Sequence, residues 1–244
     1  MLYNALMPVI LSRADAIITV SESERLSIVN RYPGVAGRIS AIQNGGMPVA
    51  YTDWPTDVGE RGGFVLYVGS LSKRKNFPGM FEVACRLARR RGIHFVFVGS
   101  VPNGFSGSDS AVPTDLRSHI SFTGQIDDSE VLRAHYRRAR CLLFPSFYEA
   151  SPMPPIEAMA CGCPVVASNI PSLIERCGDA ALYCDPYSVD SIERAVETVF
   201  DDTDLQERLR GLGLAHAAKF TWEACARGVL AVISGDDVPQ APAS

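Results

Sequence analysis

No apolar run in this 244-residue chain reaches the roughly 18 residues that a helix needs to cross a bilayer. The opening MLYNALMPVIL is mildly apolar, but no basic stretch precedes it and Ser12-Arg13-Ala14-Asp15 follows at once, so it does not read as a signal peptide. Positive charge is not in excess: 23 Lys and Arg against 27 Asp and Glu leave a net charge of −4, which gives no general field for nucleic acid. Histidine is scarce, and His94, His119, His135 and His216 show no H-x-x-x-H spacing. The seven cysteines are an odd number without a disulfide-framework pattern, and Cys161-Gly162-Cys163 has no second pair at zinc spacing. Neither a Walker loop nor a G-x-S-x-G elbow occurs. These absences point away from a secreted scaffold, a membrane-spanning chain, a zinc domain and a nucleic-acid binder. They set the expectation of a cytoplasmic protein with buried free thiols and no bound metal.

What is present is ordinary globular material, with 47% hydrophobic and 20% charged residues. Ala16 to Val20 and Ile39 to Ile42 read as short strands, and between them Ser21 and Glu24 form a capping box for a helix to about Asn30. Residues 47–63, rich in Gly and Pro, read as a linker. Further strands are expected at Phe64–Val68, Ile93–Val98, Ile120–Thr123, Cys141–Phe144, Pro164–Ala167 and Ala180–Tyr183. Helices are expected over 78–91, from a cap at Asp128 to Arg138, from Pro154 to a stop at Gly162, and over 188–200, 204–219 and 222–233. Residues 100–113 read as a surface loop and 235–244 as a disordered tail. Fully apolar strands alternating with helices predict an α/β domain over 64–200, a doubly wound, Rossmann-like parallel sheet. An incomplete segment (1–46) precedes it and helices (201–234) follow it. Such a sheet binds ligands beyond the carboxyl ends of its strands, where Gly69, Gly99, Gly124 and Glu149 fall.

The stretch CLLFPSFYEASPMPPIEAMACGCPVVASN, residues 141–169, organises the chain. It reads as strand, loop, helix and strand, with Pro154 and Pro155 at positions where a helix needs no N–H. Glu149 lies in the loop and Glu157 in the first helical turn. A helix start presents unpaired N–H groups and partial positive charge, so it suits a diphosphate, and Glu157 can accept from sugar hydroxyls of the same ligand. For an arbitrary Glu in a first turn, complementing the helix dipole is the commoner role. Lys73, Arg74 and Lys75 form a basic cluster just after a strand, read equally as a solvated loop or an anion site. Asp202-Thr203-Asp204 matches D-x-D, but lies between two helices and reads as a cap made by Asp204 with Glu207.

The full string F-P-S-x-x-E…P-P-x-E-A-M-A-C-G-x-P-V-V-A-S resembles the E-x7-E region of family 4 glycosyltransferases, retaining enzymes of the GT-B fold. Y-V-G-S-L-x-x-R-K-N resembles that family's donor-phosphate loop, F-T-G-Q-I its base-binding strand end, and ADAIITVSESE…RISAIQNGG the end of its N-terminal domain. The resemblance covers about residues 13–233. It implies that Glu149 holds the donor sugar hydroxyls, Glu157 the ribose hydroxyls, and Arg74 and Lys75 the diphosphate. Gly69 and Ser70 then shape the phosphate loop, and backbone groups of Gly124, Gln125 and Ile126 take the base. Two departures stand out. Ser70 occupies a place where many members carry Arg, and Ala150-Ser151-Pro152-Met153-Pro154 replaces the usual G-F-G-L-P. Pro152 has no N–H to offer a ligand, which leaves Ser151 and Met153.

The resemblance implies transfer of a hexose, mannose- or glucose-like, from a nucleotide diphosphate sugar to an acceptor hydroxyl on a saccharide or lipid-linked acceptor, with retention and without a metal cofactor. Peripheral contact with the inner membrane face is left open. In the family the acceptor and an active-site His come from the first domain, whereas the first His here is His94. The last helices are expected to pack back toward the N-terminal side. A second chain supplying the N-terminal domain, a nucleotide-sugar-binding subunit or fragment without activity of its own, and a GT-B epimerase are the alternatives.

Overall fold

The computed structural model describes residues 2–46, 63–100 and 112–237, with side chains from residue 6 onward. Most of the expected linker (47–63), most of the loop (100–113) and the end of the tail (238–244) lie outside the described residues.

The chain opens with α1 (Leu2–Arg13), a helix that the sequence reading left unassigned. A small β-α-β unit follows: β1 (Ile17–Thr19), α2 (Glu22–Arg31), a 3-10 turn and β2 (Ile39–Ala41), the two strands pairing in parallel. It buries only a small cluster around Leu11, Val35 and Ile39. Ser21 caps α2 by accepting from the Glu24 N–H at 3.2 Å. The expected capping box closes only halfway, because the Glu24 carboxylate is engaged by the Tyr148 hydroxyl at 2.6 Å. The Glu22 and Ser23 N–H groups at the start of α2 donate instead to Glu175, at 2.7 and 2.9 Å.

The larger unit runs β3 (Phe64–Val68), α3 (Phe77–Arg91), β4 (His94–Val98), β5 (Ile120–Gly124), α4 (Ser129–Arg138), β6 (Cys141–Phe144), α5 (Pro154–Ala160), β7 (Val165–Ser168), α6 (Pro171–Cys177), β8 (Ala181–Cys184), α7 (Val189–Asp201), α8 (Thr203–Ala217) and α9 (Trp222–Ser234). Its six strands are all parallel in the order β5-β4-β3-β6-β7-β8. The strands are apolar on both faces because helices cover both faces. Val65, Leu66, Tyr67, Leu142, Val165 and Val166 are accordingly buried. Aromatic rings from β3, β4, β5, β6 and α3 meet in the core, with Phe77 edge-on to Phe97 and Phe97 stacked on Phe122 at 5.1 Å. The chain steps outward from β3 through β4 to β5, then returns to β6 beside β3. Strand order therefore reverses between β3 and β6, where this class of sheet leaves a crevice at the carboxyl ends.

Two expectations need correction. Helix α6 was not foreseen between the strands at 165–168 and 181–184. The D-x-D segment does cap a helix, but through Asp202, whose carboxylate accepts from the Leu205 N–H at 2.9 Å, while Asp204 sits inside the first turn of α8. Helix α9 crosses back over the N-terminal unit. The Gly46 N–H donates to the Phe220 carbonyl at 2.8 Å. A Cβ on Gly45 would lie 2.5 Å from the Trp222 nitrogen, and one on Gly228 would lie 3.1 Å from Ile42.

Candidate functional site

The ends of β3 and β4 approach so closely that only glycine fits. Gly69 and Gly99 both have φ of +142°, and a Cβ on Gly99 would lie 1.9 Å from the Gly69 carbonyl oxygen. Gly69 then donates to the Val98 carbonyl at 2.9 Å and Gly99 to the Gly124 carbonyl at 2.8 Å, which sets three strand ends side by side. Beyond Gly69, the Tyr67 hydroxyl holds the Ser70 carbonyl at 2.8 Å and the Leu71 N–H donates to Ser100. The loop ends at Asn76, a left-handed residue (φ 57°) whose amide donates to the Pro186 carbonyl at 2.8 Å. Asn suits this place because its short polar side chain tolerates that conformation.

This pinned loop aims Arg74 and Lys75 at the loop after β6. Lys75 lies over the Phe144 ring at 4.9 Å, and its Nζ meets Glu149 Oε1 at 2.5 Å. Arg74 Nη1 reaches Glu149 Oε2 at 3.4 Å and donates to the Tyr148 carbonyl at 2.9 Å. The backbone joins too, Phe147 N–H donating to the Arg74 carbonyl at 3.0 Å. The Glu149 side chain is 6% exposed, that of Lys75 12% and that of Arg74 51%, so the carboxylate and the ammonium are shielded while the guanidinium faces out. Two cations against one carboxylate leave a positive charge at the switch point. The Lys75–Glu149 pair is shielded from water, whereas the exposed Arg74 guanidinium is free to meet an anion from solvent.

On the far side of the loop, the Ser168 hydroxyl ties the Ser146 carbonyl to the end of β7 at 2.6 Å. Ser151 accepts from the Asn44 amide at 3.2 Å. Met153 directly precedes α5, and its sulfur lies 3.9 Å from Arg176 Nη2. Arg176 is buried, spreads over the Phe220 ring at 4.2 Å and donates to the Gln43 side chain at 3.1 Å. Burial holds its guanidinium down to about 10. Glu157 stands in the first turn of α5, and Tyr136 of α4 donates to its Oε2 at 2.8 Å. Burial raises the Glu157 carboxyl above its ordinary value, and the Tyr136 hydrogen bond partly opposes this.

The structure thus brings Arg74, Lys75 and Glu149 into one cluster, with Gly69 and Ser70 at its base and Ser151, Met153 and Glu157 on the following turn and helix. Gly124, Gln125 and Ile126 stand at the end of β5, the edge strand. Gly124 has φ +73°, and the Gln125 amide is folded onto Asp127 at 2.6 Å. The sequence reading missed four partners: Tyr136, Tyr148, Asn44 and Arg176. Helical spacing marks Tyr136 as buried but not its phenol's acceptor. Pro171 and Gly178, at the start and stop of α6, were the available signal for the helix that carries Glu175 and Arg176.

Comparison with known proteins agrees with this fold. The family model described as glycosyl transferases group 1 matches residues 53–212. O-antigen chain mannosyltransferase B of Escherichia coli is 35% identical over 169 residues, 67% of this chain and 43% of that protein. A glycogen synthase of Mycobacterium tuberculosis is 30% identical over 246 residues, 93% of this chain and 56% of that protein. The chain therefore spans about half the length of the curated relatives it matches. Among solved structures, a sucrose-phosphate synthase from Thermosynechococcus elongatus superposes with a TM-score of 0.76 and 28% identity, covering 95% of this chain and 60% of that one. The six-stranded parallel sheet flanked by helices matches the fold of GT-B glycosyltransferases, and the chain belongs to the glycosyl transferases group 1 family.

Proposed function

We propose that this chain binds the nucleoside diphosphate of an activated hexose and serves its transfer to an acceptor hydroxyl with retention, in the manner of family 4 enzymes. The observation that carries this reading is the cluster of Lys75 and Arg74 on Glu149 at the sheet's switch point. When the bond between anomeric carbon and phosphate oxygen breaks, negative charge grows on the departing diphosphate. Fixed cations beside it stabilise that charge without reorganising. Lys75 is the better placed of the two, since its ammonium is shielded from water and lies over the Phe144 ring. Before donor binds, Glu149 pairs with both cations and offsets one of their two charges. With donor present, the diphosphate shares them and the carboxylate turns toward sugar hydroxyls.

Glu157 is proposed to accept from the ribose hydroxyls, the N–H groups of Ser151 and Met153 to meet the phosphate or sugar, and Gly69 and Ser70 to line the phosphate loop. Gly124, Gln125 and Ile126 would offer backbone groups to the base. Relatives named for mannosyl transfer and for glycogen synthesis support a mannose- or glucose-like hexose and a saccharide acceptor, and a lipid-linked saccharide is part of the same proposal. Binding is proposed to be metal-independent. Arg74 and Lys75 supply the positive charge, and Asp202 of the D-x-D segment is committed to the cap of α8.

Calorimetric titration of UDP, GDP and ADP tests this, with wild type, Lys75→Ala and Glu157→Ala, in chelator and with added manganese. Lys75→Ala should weaken binding of the preferred nucleotide. Glu157→Ala should cost about 1.5–3 kcal/mol, the worth of hydrogen bonds to a charged acceptor. Equal affinity in Glu157→Ala overturns the ribose assignment, and binding that needs manganese overturns the metal-free one.

A further inference from the structure

A fully buried tyrosine beside a candidate ligand carboxylate calls for a reason that core filling does not give. Tyr136 is 0% exposed, so its ring alone would be served as well by Phe. A buried phenol must find an acceptor or lose hydrogen-bond energy. The acceptor here is not a backbone carbonyl of a neighbouring strand but Oε2 of Glu157, reached at 2.8 Å from another helix. Glu157 has three side-chain torsions and stands on a helix of only 7 residues, so nothing in α5 itself fixes where its carboxylate points. Its other oxygen, Oε1, accepts from none of the described residues, and the residue remains partly exposed.

We infer that Tyr136 is a positioning residue for nucleotide recognition: its hydroxyl holds one oxygen of Glu157 so that the other is turned toward the ribose diol. This rests on the ribose role proposed for Glu157. A pre-aimed carboxylate loses less side-chain entropy on binding than a free one. It also rewards only a ligand that brings hydroxyls to Oε1. The pair therefore works as a ribose selector, favouring nucleotides that carry the 2′- and 3′-hydroxyls over dideoxy forms. The hydrogen bond has a second effect. It favours the ionised, accepting form of Glu157 against burial, which favours the neutral one. The other titratable groups acting on the pair are Cys161 and Cys163 just after α5, and Arg133, Arg137 and Glu130 of α4 in turn face Cys161.

The test titrates the preferred nucleoside diphosphate and its 2′,3′-dideoxy form against wild type, Tyr136→Phe, Glu157→Ala and the double variant, from about pH 5 to 8. Tyr136→Phe keeps the ring and its volume, and thermal melting reports whether the fold is intact. The expected result is about tenfold weaker binding of the ribonucleotide and no change for the dideoxy form. Tyr136→Phe should have no further effect once Glu157 is Ala. The acid limb of the binding profile should also move to higher pH in Tyr136→Phe. If Glu157→Ala weakens binding and Tyr136→Phe does not, the positioning role is overturned while the ribose reading stands. If Tyr136→Phe weakens ribo and dideoxy forms alike, Tyr136 is only structural. If Glu157→Ala changes nothing, the ribose reading itself fails and this inference fails with it.

Discussion

At the scale of single residues, Glu157 is where binding and stability pull apart. The unfolded carboxyl ionises near 4.5, and burial raises that value in the fold. A raised carboxyl contributes stability that is fully present below the unfolded value and lost as pH rises through the folded one. At neutral pH the folded chain therefore carries an ionised group that its surroundings disfavour. Glu157→Gln should raise the melting temperature at pH 7, with the gain shrinking as pH falls toward 4.5, while nucleotide affinity drops. A melting series over that range decides it, and a Gln variant that is less stable at pH 7 would show that the Tyr136 hydrogen bond outweighs burial. The cysteines are quieter. Burial pushes Cys161, Cys177 and Cys184 up to about 12, so they stay as thiols at neutral pH, and none of the seven forms a disulfide.

At the scale of elements, α6 joins the two units. Both oxygens of Glu175 cap the start of α2, and Oε1 also accepts from the Gln43 amide at 2.9 Å. Helix α2 buries none of its residues, so it depends on this cap and on Ser21 more than a core helix would. Glu175→Ala should cost about 1–2 kcal/mol, as loss of a charged cap at a helix start does. Hydrogen exchange should quicken across α2 and leave β3, β4 and β6 protected. Uniformly faster exchange would mean that Glu175 supports the whole molecule instead. A carboxylate 153 residues from the N–H it caps could not be paired with it from sequence, because nothing local distinguishes it from a solvated helix charge.

At the scale of the whole molecule, the N-terminal unit and α9 leave apolar side chains in water. Leu6, Val9, Ile10 and Leu26 are exposed on the first, and Trp222, Leu230 and Ile233 on the second. Large apolar side chains left exposed on neighbouring turns of a helix suit contact with another apolar surface. We expect the 244-residue chain to self-associate with rising concentration through these side chains. Sedimentation over a concentration series tests this. A chain that stays monodisperse across the series would overturn the expectation.

The sequence by itself determined the larger sheet and where the candidate site's residues fall along it. Apolar runs such as Cys141–Phe144 and Val165–Ser168 become buried strands because both faces are covered, and Pro154 and Gly162 bound α5 for local conformational reasons. Gly69, Glu149 and Glu157 fall at strand and helix ends for the same cause. Only the tertiary structure decided which charges meet. Residues 74 chain positions apart make the Lys75–Glu149 pair, Glu175 leaves its own helix to cap another, and Tyr136 finds Glu157 across two elements. Periodicity says which face of an element is buried. It does not say which neighbour lies there, and a hydrogen bond or an ion pair depends on that neighbour to within a few tenths of an ångström.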